Sequence, residues 1–377
     1  MIIGVLKETQ KGDNRVAITP KIAQQLIAKG FEIKVEEDAG ANSSYKNSDY
    51  SKAGAHIRAK EDLFKNTDIL IKINPFDNKE LKKLKKGQII IAQLFHKSHP
   101  HDMELIAERG ATAFSMDAMP RISRAQDMDV LSSQNNLAGY KAVIKGAYEM
   151  TKIFPLMMTA AGTISPARVL VYGVGVAGLQ AIATAKRLGA IVEATDIRPE
   201  TKEQTESLGA KFIMVENNSE ESGNGVYAKV ASEDYARRQK EAVDESLFKA
   251  DLVITTAMVP GRRSPVLIKE DQVKKMQNGA VIIDLAAAQG GNCELSVMNK
   301  IVVKHGVKII GSTIAPESVS TNASDLYAKN MFNYLVHLTE DGQFKWDLED
   351  QITDETLIVY NGKIRQNGKV KQEVKVS

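Results

Sequence analysis

The sequence predicts an α/β fold of two doubly wound domains, the first discontinuous and the pair linked by long helices. Three observations carry this. Short apolar runs alternate with amphipathic ones along nearly the whole chain, the pattern of parallel strands joined by crossover helices. At 377 residues the chain exceeds what one hydrophobic core organises. A glycine-rich turn between a strand-like and a helix-like run occurs only in the second half.

Composition narrows the class. With 43% hydrophobic and 26% charged residues and a net charge of only +3, the chain reads as an ordinary globular protein, and neither disorder nor nucleic-acid coating fits. The single cysteine, Cys293, excludes an internal disulfide and a cysteine-rich metal site. The opening MIIGVLKE reads as a short buried strand, not a signal peptide. No apolar run approaches the ~20 residues that span a bilayer, so no direct membrane insertion is expected.

In order along the first half, IIGVL, FEIKVEE, DILIKI, QIIIAQL and ATAFSM are strand candidates, with TPKIAQQLIAKG and MELIAERG as amphipathic segments between them. TPKIAQQLIAKG has Thr19 as N-cap, Pro20 at the first helical position and Gly30 just past the end, the expected helix punctuation. The polar segment PRISRAQDMDVLSSQNN precedes a helical pattern from Leu137, LAGYKAVIKGAYEMTKIF, closed by Pro155. A second αβ succession follows: ARVLVYG, LQAIATAKRLG, AIVEATD, KEQTESLG, KFIMV, a long polar loop, a charged helix around Tyr235 to Phe248, DLVITTA, EDQVKKM, AVIIDLA and VKIIG. A helix from about Ser318, NASDLYAKNMFNYLVHL, is expected to return to the first domain, and Asn361 and Gly362 between β-prone runs predict a hairpin. The expected domains are residues 1–137 with 320–377, and 138–319.

Gly173, Gly175 and Gly178 form GVGVAG directly after one predicted strand and before a predicted helix, which makes the second domain Rossmann-like. In that motif the first glycine permits the tight turn, the second lets backbone approach a pyrophosphate, and the third allows close helix packing. The helix N-terminus beyond offers unpaired N–H groups and a positive dipole end. Asp196, after the next strand, has the spacing of the acid that binds an adenosine ribose diol and repels a 2′-phosphate, so NAD(H) is preferred over NADP(H), although Arg198 nearby would welcome the phosphate. Thr255, Ala257, Met258, Asp284 and Leu285 end later strands, where ligands of open sheets lie. Arg121, Gln126, Asp129 and Ser132 crowd into the polar segment and are expected to face a cleft where the nicotinamide ring would point; by composition alone a solvated loop is the blander reading.

MPRISRAQDMDVLSSQNNLAGYKAV, MMTAAGTISPARVLVYGVGVAGLQAIATAKRLGAIVEATDIR, VIIDLAAAQGGNCE and IVVKHGVKIIG together resemble the NAD(H)-binding component, domain I, of the proton-translocating nicotinamide nucleotide transhydrogenases, over nearly the whole chain. The resemblance implies two Rossmann-like domains with NAD(H) in the second, a homodimer, and NADP(H) on a separate partner polypeptide. It implies that Arg121, Gln126, Asp129 and Ser132 hold the nicotinamide and its ribose, with Ile122, Ser123, Val130 and Leu131 of the same segment as further contacts. Gly173, Val174, Gly175, Val176 and Gly178 match the glycine turn, and Asp196, Ile197 and Arg198 the adenosine-binding stretch. Gln239, Ala257, Met258 and Leu285 match further cofactor contacts. Tyr227 matches a tyrosine on a mobile loop, although Val226 stands where the family pattern has glycine. The implied enzyme is a Re/Si-specific NAD(P)+ transhydrogenase subunit, cytoplasmic and peripheral on the inner face of the membrane through membrane-spanning partner subunits. Direct hydride transfer needs approach, alignment and exclusion of water, not a general acid or base.

Two other readings compete. Alanine dehydrogenase is similar in fold and shares Arg15, but Asn74 falls where its lysine is expected, leaving Lys72 nearby, Ala288 replaces its aspartate, and His96 matches its histidine one residue out of register. A non-catalytic NAD(H)-sensing module leaves the Arg121–Gln126–Asp129 cluster without a purpose. His96, His99 and His101 in HKSHPH read as a solvated loop, not a metal site, because Pro100 and the missing acidic or cysteine frame offer no fixed geometry. KKLKK reads as a solvated helix face.

Overall fold

The structure, a computed structural model, describes residues 1–215, 226–259, 262–311, 316–340, 342–366 and 369–370. Met1–Gln134 with Pro316–Ser377 form one compact unit and Asn135–Ala315 the other.

In the first unit, six strands run parallel in the spatial order His56–Arg58, Glu32–Glu36, Ile2–Val5, Ile69–Ile71, Ile89–Ala92, Thr112–Ser115. The chain returns to the free edge late: Leu357–Tyr360 pairs antiparallel with Thr112–Ser115, and Lys363–Gln366 pairs with it in turn. Asn361 and Gly362 join those two strands with φ of 47° and 77°, the left-handed pair that a two-residue hairpin of matching twist requires. The return helix Ser320–Leu338 buries Tyr327, Met331, Tyr334 and Leu335 in the core that holds Ile3, Ile33 and Ile71, which is why this unit is discontinuous in sequence. The first helix, Pro20–Ala28, begins as expected, but the Thr19 hydroxyl makes no capping bond; it is buried without a partner and marks the cap by backbone alone.

The second unit repeats the winding. Its parallel strands lie in the order Lys211–Phe212, Ile191–Thr195, Arg168–Tyr172, Leu252–Thr255, Val281–Asp284, Val307–Gly311, and Lys300–Lys304 closes one edge antiparallel. In both of these sheets the first strand is central and the chain leaves it in opposite directions, creating a switch point beside its carboxyl end.

Three elements differ from expectation. The helix Val130–Glu149 starts well before Leu137, because Asp129 caps it, and ends before Pro155. Met157–Thr159 and Gly162–Ile164 form a two-stranded hairpin with every residue exposed, which short mixed runs did not announce. The charged helix begins at Val226, not near Tyr235.

Candidate functional site

The strand Arg168–Tyr172 is buried after its first residue and delivers the chain to Gly173 at the switch point of the second unit. Gly173 has φ of 90°, and a Cβ there would meet Thr256 Oγ1 at 2.8 Å, so both turn and packing require glycine. A Cβ on Gly175 would meet nothing within 4 Å, leaving the backbone open to an approaching group. A Cβ on Gly178 would lie 1.9 Å from the Gly173 carbonyl oxygen, which sets how closely the helix Val176–Arg187 packs on the turn. Its first-turn amides lack intrahelical acceptors by helix geometry and sit at the positive dipole end. The three glycines thus meet the requirements of a pyrophosphate cradle, and the fit to a dinucleotide is geometric as well as sequential. Val174 contributes only backbone, since its side chain is in the core, whereas Val176 is exposed.

Asp196 ends the strand Ile191–Thr195 and reaches back to this turn: its Oδ2 accepts from the Val174 amide at 2.7 Å. Arg198 folds onto the same carboxylate, with Nε to Oδ1 at 3.0 Å and Nη2 to Oδ2 at 2.9 Å, and its own amide to Oδ1 at 2.9 Å. Burial works against the ionised acid, but the Arg198 guanidinium and the Val174 and Arg198 amides outweigh it, and the carboxyl titrates below its ordinary range. The Asp196 side chain is 6% exposed and that of Arg198 50%, so the acid is fixed and the base is the movable partner. The arginine that would welcome a 2′-phosphate is therefore engaged by the acid that repels one. Ile197 between them is fully exposed.

The neighbouring strand ends are organised by two residues that the sequence did not single out correctly. Asp284, a candidate for ligand contact, is turned inward and fully buried, accepting from Thr255 Oγ1 and from the amides of Ala286, Asn292 and Cys293 at 2.9–3.0 Å. Thr255 is likewise buried. Asn292, unremarked in the sequence, accepts from the Ala257 amide at 3.1 Å and donates to the Ala257 and Pro265 carbonyls at 2.8 Å, pinning the segment that carries Ala257 and exposed Met258. Leu285 is half-buried against the core. Gln239 has both ends of its amide engaged: Oε1 accepts from Val215 N at 2.9 Å and Nε2 donates to the Ile213 carbonyl at 2.8 Å. Tyr227 has its backbone in the first turn of the helix Val226–Lys249, not in a loop; its side chain lies outside the described residues.

The polar segment belongs to the first unit. A 3-10 helix, Ser123–Met128, seats Ala125 and Met128 in the core and leaves Arg121, Ser123 and Gln126 exposed at the surface. Asp129 then caps the helix Val130–Glu149, its carboxylate accepting from the Ser132 amide at 3.0 Å and from Ser132 Oγ at 2.5 Å. The structure thus brings Asp129 and Ser132 into direct contact. Ile122 and Leu131 are half-buried, and Val130 is wholly in the core.

Arg15, shared with alanine dehydrogenase, is buried and gripped by Asp13, Nη2 to Oδ2 at 2.6 Å and Nε to Oδ1 at 3.0 Å, with Nη1 on Gln134 Oε1 at 2.9 Å. Asn74 donates to Glu8 at 2.9 Å and to Asp13 at 2.6 Å, and Lys72 is consumed by Glu80 at 2.9 Å. Burial, set against the opposing charge of Lys72, raises the Glu8 carboxyl above its usual range. Among the described residues no group of His, Cys, Asp and Glu has metal-binding geometry. His101 lies in the helix Pro100–Glu108 and His99 just before it, while burial lowers His96 below its ordinary value.

Fold and site define a two-unit nucleotide-binding α/β protein with one dinucleotide cradle. Family descriptions match both units: "Alanine dehydrogenase/PNT, N-terminal domain" over residues 4–138 and "Alanine dehydrogenase/PNT, C-terminal domain" over residues 142–367. The chain is 48% identical to an NAD(P) transhydrogenase subunit alpha chain of Rhodospirillum rubrum, over 97% of each chain. A transhydrogenase structure from Sinorhizobium meliloti superposes with a TM-score of 0.89 at 39% identity, covering 97% of this chain and all of that one. Alanine dehydrogenase 1 of Staphylococcus aureus is more distant, at 26% identity over 98% of this chain and 95% of that one. The chain belongs to the alanine dehydrogenase/PNT family, on the transhydrogenase alpha-subunit side of it.

Proposed function

We propose that this chain is the NAD(H)-binding component of a Re/Si-specific, proton-translocating NAD(P)+ transhydrogenase. The observation that carries the reading is the cradle of Gly173, Gly175 and Gly178 closed by Asp196 on the Val174 amide, in a chain 48% identical to a transhydrogenase alpha subunit. The residues 138–319 are the NAD(H) domain, and residues 1–137 with 320–377 form the domain without a glycine loop. Bound NADH supplies a hydride that passes directly to NADP+ on the partner polypeptide. The chain's own residues hold and orient it. Gly175 and the amides around Val176 and Gly178 receive the pyrophosphate, and Asp196 takes the adenosine ribose, with Ile197 and Arg198 beside it. Val174, Gln239, Ala257, Met258 and Leu285 border the cradle, and Tyr227 closes over it. Arg121, Gln126, Asp129 and Ser132 hold the nicotinamide end, with Ile122, Ser123, Val130 and Leu131 as their frame. The Asp129–Ser132 contact supports that role by fixing two of the four side chains before any ligand arrives.

Among the described residues no helix is long and apolar enough to cross a membrane, so proton translocation and attachment to the inner face of the cell membrane are assigned to membrane-spanning partner subunits. A homodimer is supported by the exposed hairpin, where Leu156 and Met158 are 57% and 77% exposed, an apolar patch suited to a second copy. The alanine dehydrogenase reading is disfavoured by Asn74 and Ala288 and by the pairing of Arg15 with Asp13.

The test is reconstitution with a transhydrogenase NADP(H)-binding polypeptide, following NADPH-driven reduction of an NAD+ analogue with a shifted absorbance. Exchange between the nucleotides is expected. Its absence, with both polypeptides binding their nucleotides, would favour the sensing module, and NADH formation from alanine and NAD+ would favour alanine dehydrogenase.

A further inference from the structure

The polar segment Arg121–Ser132 is anchored from a stretch of the chain far away in sequence. Asn330, on the return helix Ser320–Leu338 and 7% exposed, donates from Nδ2 to the Asp127 carbonyl at 2.7 Å. Its Oδ1 accepts from Ser133 Oγ, also at 2.7 Å. One carboxamide therefore spans Asp129, bonding the backbone before it and a side chain after it. The Asp127 carbonyl is at the end of the 3-10 helix Ser123–Met128, where carbonyls lack helical partners, so the bond satisfies a group the segment cannot satisfy itself. Asn333 Nδ2 adds a weaker bond to the same carbonyl at 3.1 Å from an exposed position. On the other side of Gln126, Arg124 forms an ion pair with Asp350. Asp350 is itself fixed as the cap of the helix Gln351–Thr356 and lies 3.0 Å from His337 Nε2.

We propose that Asn330 is a positioning residue for hydride transfer. By clamping the turn at Asp127 and Ser133 it sets where Gln126, Asp129 and Ser132 stand, without itself touching nucleotide. The inference rests on the transhydrogenase reading of that segment. A side chain that only supported the fold would lower stability and leave turnover alone; a positioning residue acts on the transfer step, where small misplacements are costly.

The experiment uses the full chain with Asn330→Ala, Asn330→Asp, Ser133→Ala and Asn333→Ala. It measures NADH affinity, saturated hydride exchange with the NADP(H)-binding partner, and hydrogen–deuterium exchange over residues 121–133. Asn330→Ala is expected to keep NADH affinity within about twofold, to slow saturated transfer on the order of 10- to 100-fold, and to speed amide exchange in the segment. Asn330→Asp, which keeps the acceptor for Ser133 but loses the donor to Asp127, is expected to behave almost as poorly, and Asn333→Ala to lose less than about threefold. If Asn330→Ala does not fold, Asn330→Asp and Ser133→Ala decide the question by the same measurements. Wild-type transfer or unchanged amide exchange in folded Asn330 variants overturns the proposal. Gln126→Ala separates the two levels: if it transfers at the wild-type rate, the reading of the segment fails and the proposal with it. If Gln126→Ala is slow and the Asn330 variants are normal, only the role of Asn330 is lost.

Discussion

Replacing Asp196 with asparagine is the perturbation that most directly examines the coenzyme preference. In the folded chain its two carboxylate oxygens accept from the Val174 amide and from three groups of Arg198, the amide, Nε and Nη2. An adenosine ribose takes over some of this acceptor capacity, with the half-exposed Arg198 side chain moving aside. Asparagine keeps one acceptor oxygen and presents an NH2 group to donors. A hydrogen bond to a charged group contributes about 1.5–3 kcal/mol, and about 1.4 kcal/mol is tenfold in affinity, so Asp196→Asn should weaken NADH binding about 10- to 100-fold. NADPH moves the other way: the repelling carboxylate is gone, and Arg198 is released to a 2′-phosphate. Because Arg198 is half-exposed, solvent screens that gain, and about tenfold is a reasonable size for it. The preference for NADH over NADPH should therefore shift by roughly 100- to 1000-fold. Fluorescence titration of both reduced coenzymes, with thermal melting to confirm folding, measures it. An Asp196→Asn chain that folds and retains the wild-type ratio of the two affinities refutes the assignment.

Four further outcomes are expected. Gly178→Ala places a methyl 1.9 Å from the Gly173 carbonyl oxygen and should cost about 1–3 kcal/mol in stability together with NADH binding, measured by denaturant melts and titration; normal binding would mean the turn does not hold the pyrophosphate. Glu80→Ala leaves the fully buried Lys72 without its carboxylate and should cost about 3–5 kcal/mol in a urea melt, and a loss below about 1 kcal/mol would show that the pair adds little. In Asp13, burial raises the acid but the hydrogen bonds and charge of Arg15 outweigh it, so the carboxyl titrates below its ordinary 3.8. Its contribution is present above about pH 4 and is lost as pH falls through the lower folded value, so Asp13→Asn should give a shallower acid limb of stability than wild type; parallel limbs would contradict this. Leu156→Glu with Met158→Glu should shift a dimer to monomer in sedimentation without weakening NADH binding, and an unchanged sedimentation profile would move the interface elsewhere.

Much of this architecture was legible because it is local. The strands were marked by short apolar runs, and the terminal hairpin by an Asn–Gly pair whose φ angles only such residues accept readily. The glycine turn was legible in the same way: each of Gly173, Gly175 and Gly178 has a separate steric reason to lack a Cβ. What escaped depends on partners distant in sequence. Asp129 looked like a loop residue because the helix it caps starts in SSQNN, where polarity masks helical periodicity. Asp284 looked like a ligand residue at a strand end, yet its carboxylate faces inward to donors that fold around it from Ala286 to Cys293. Asn292 and Asn330 gave no signal at all, since an asparagine that pins remote backbone reads like any polar residue until that backbone is in place.

The contrast between the two switch points explains why one unit has a cradle and the other none. Both sheets wind identically, so strand order alone would give each a crevice beside its first strand. After Arg168–Tyr172 the chain turns through glycines, leaving amides and a helix dipole that have no anion of their own. After Ile2–Val5 it continues instead to Glu8, whose carboxylate accepts from the Ile73 amide at 2.6 Å and from the Asn74 side chain at 2.9 Å, residues that follow the adjoining strand Ile69–Ile71. Glu8 is thus an internal anion tying together the two strand ends that would otherwise flank a ligand. A phosphate arriving there would meet a negative charge and amide donors already engaged. The same winding that supplies a coenzyme site in one unit is locked by its own side chain in the other, so evolution of a second site would need removal of Glu8 before any glycine could help.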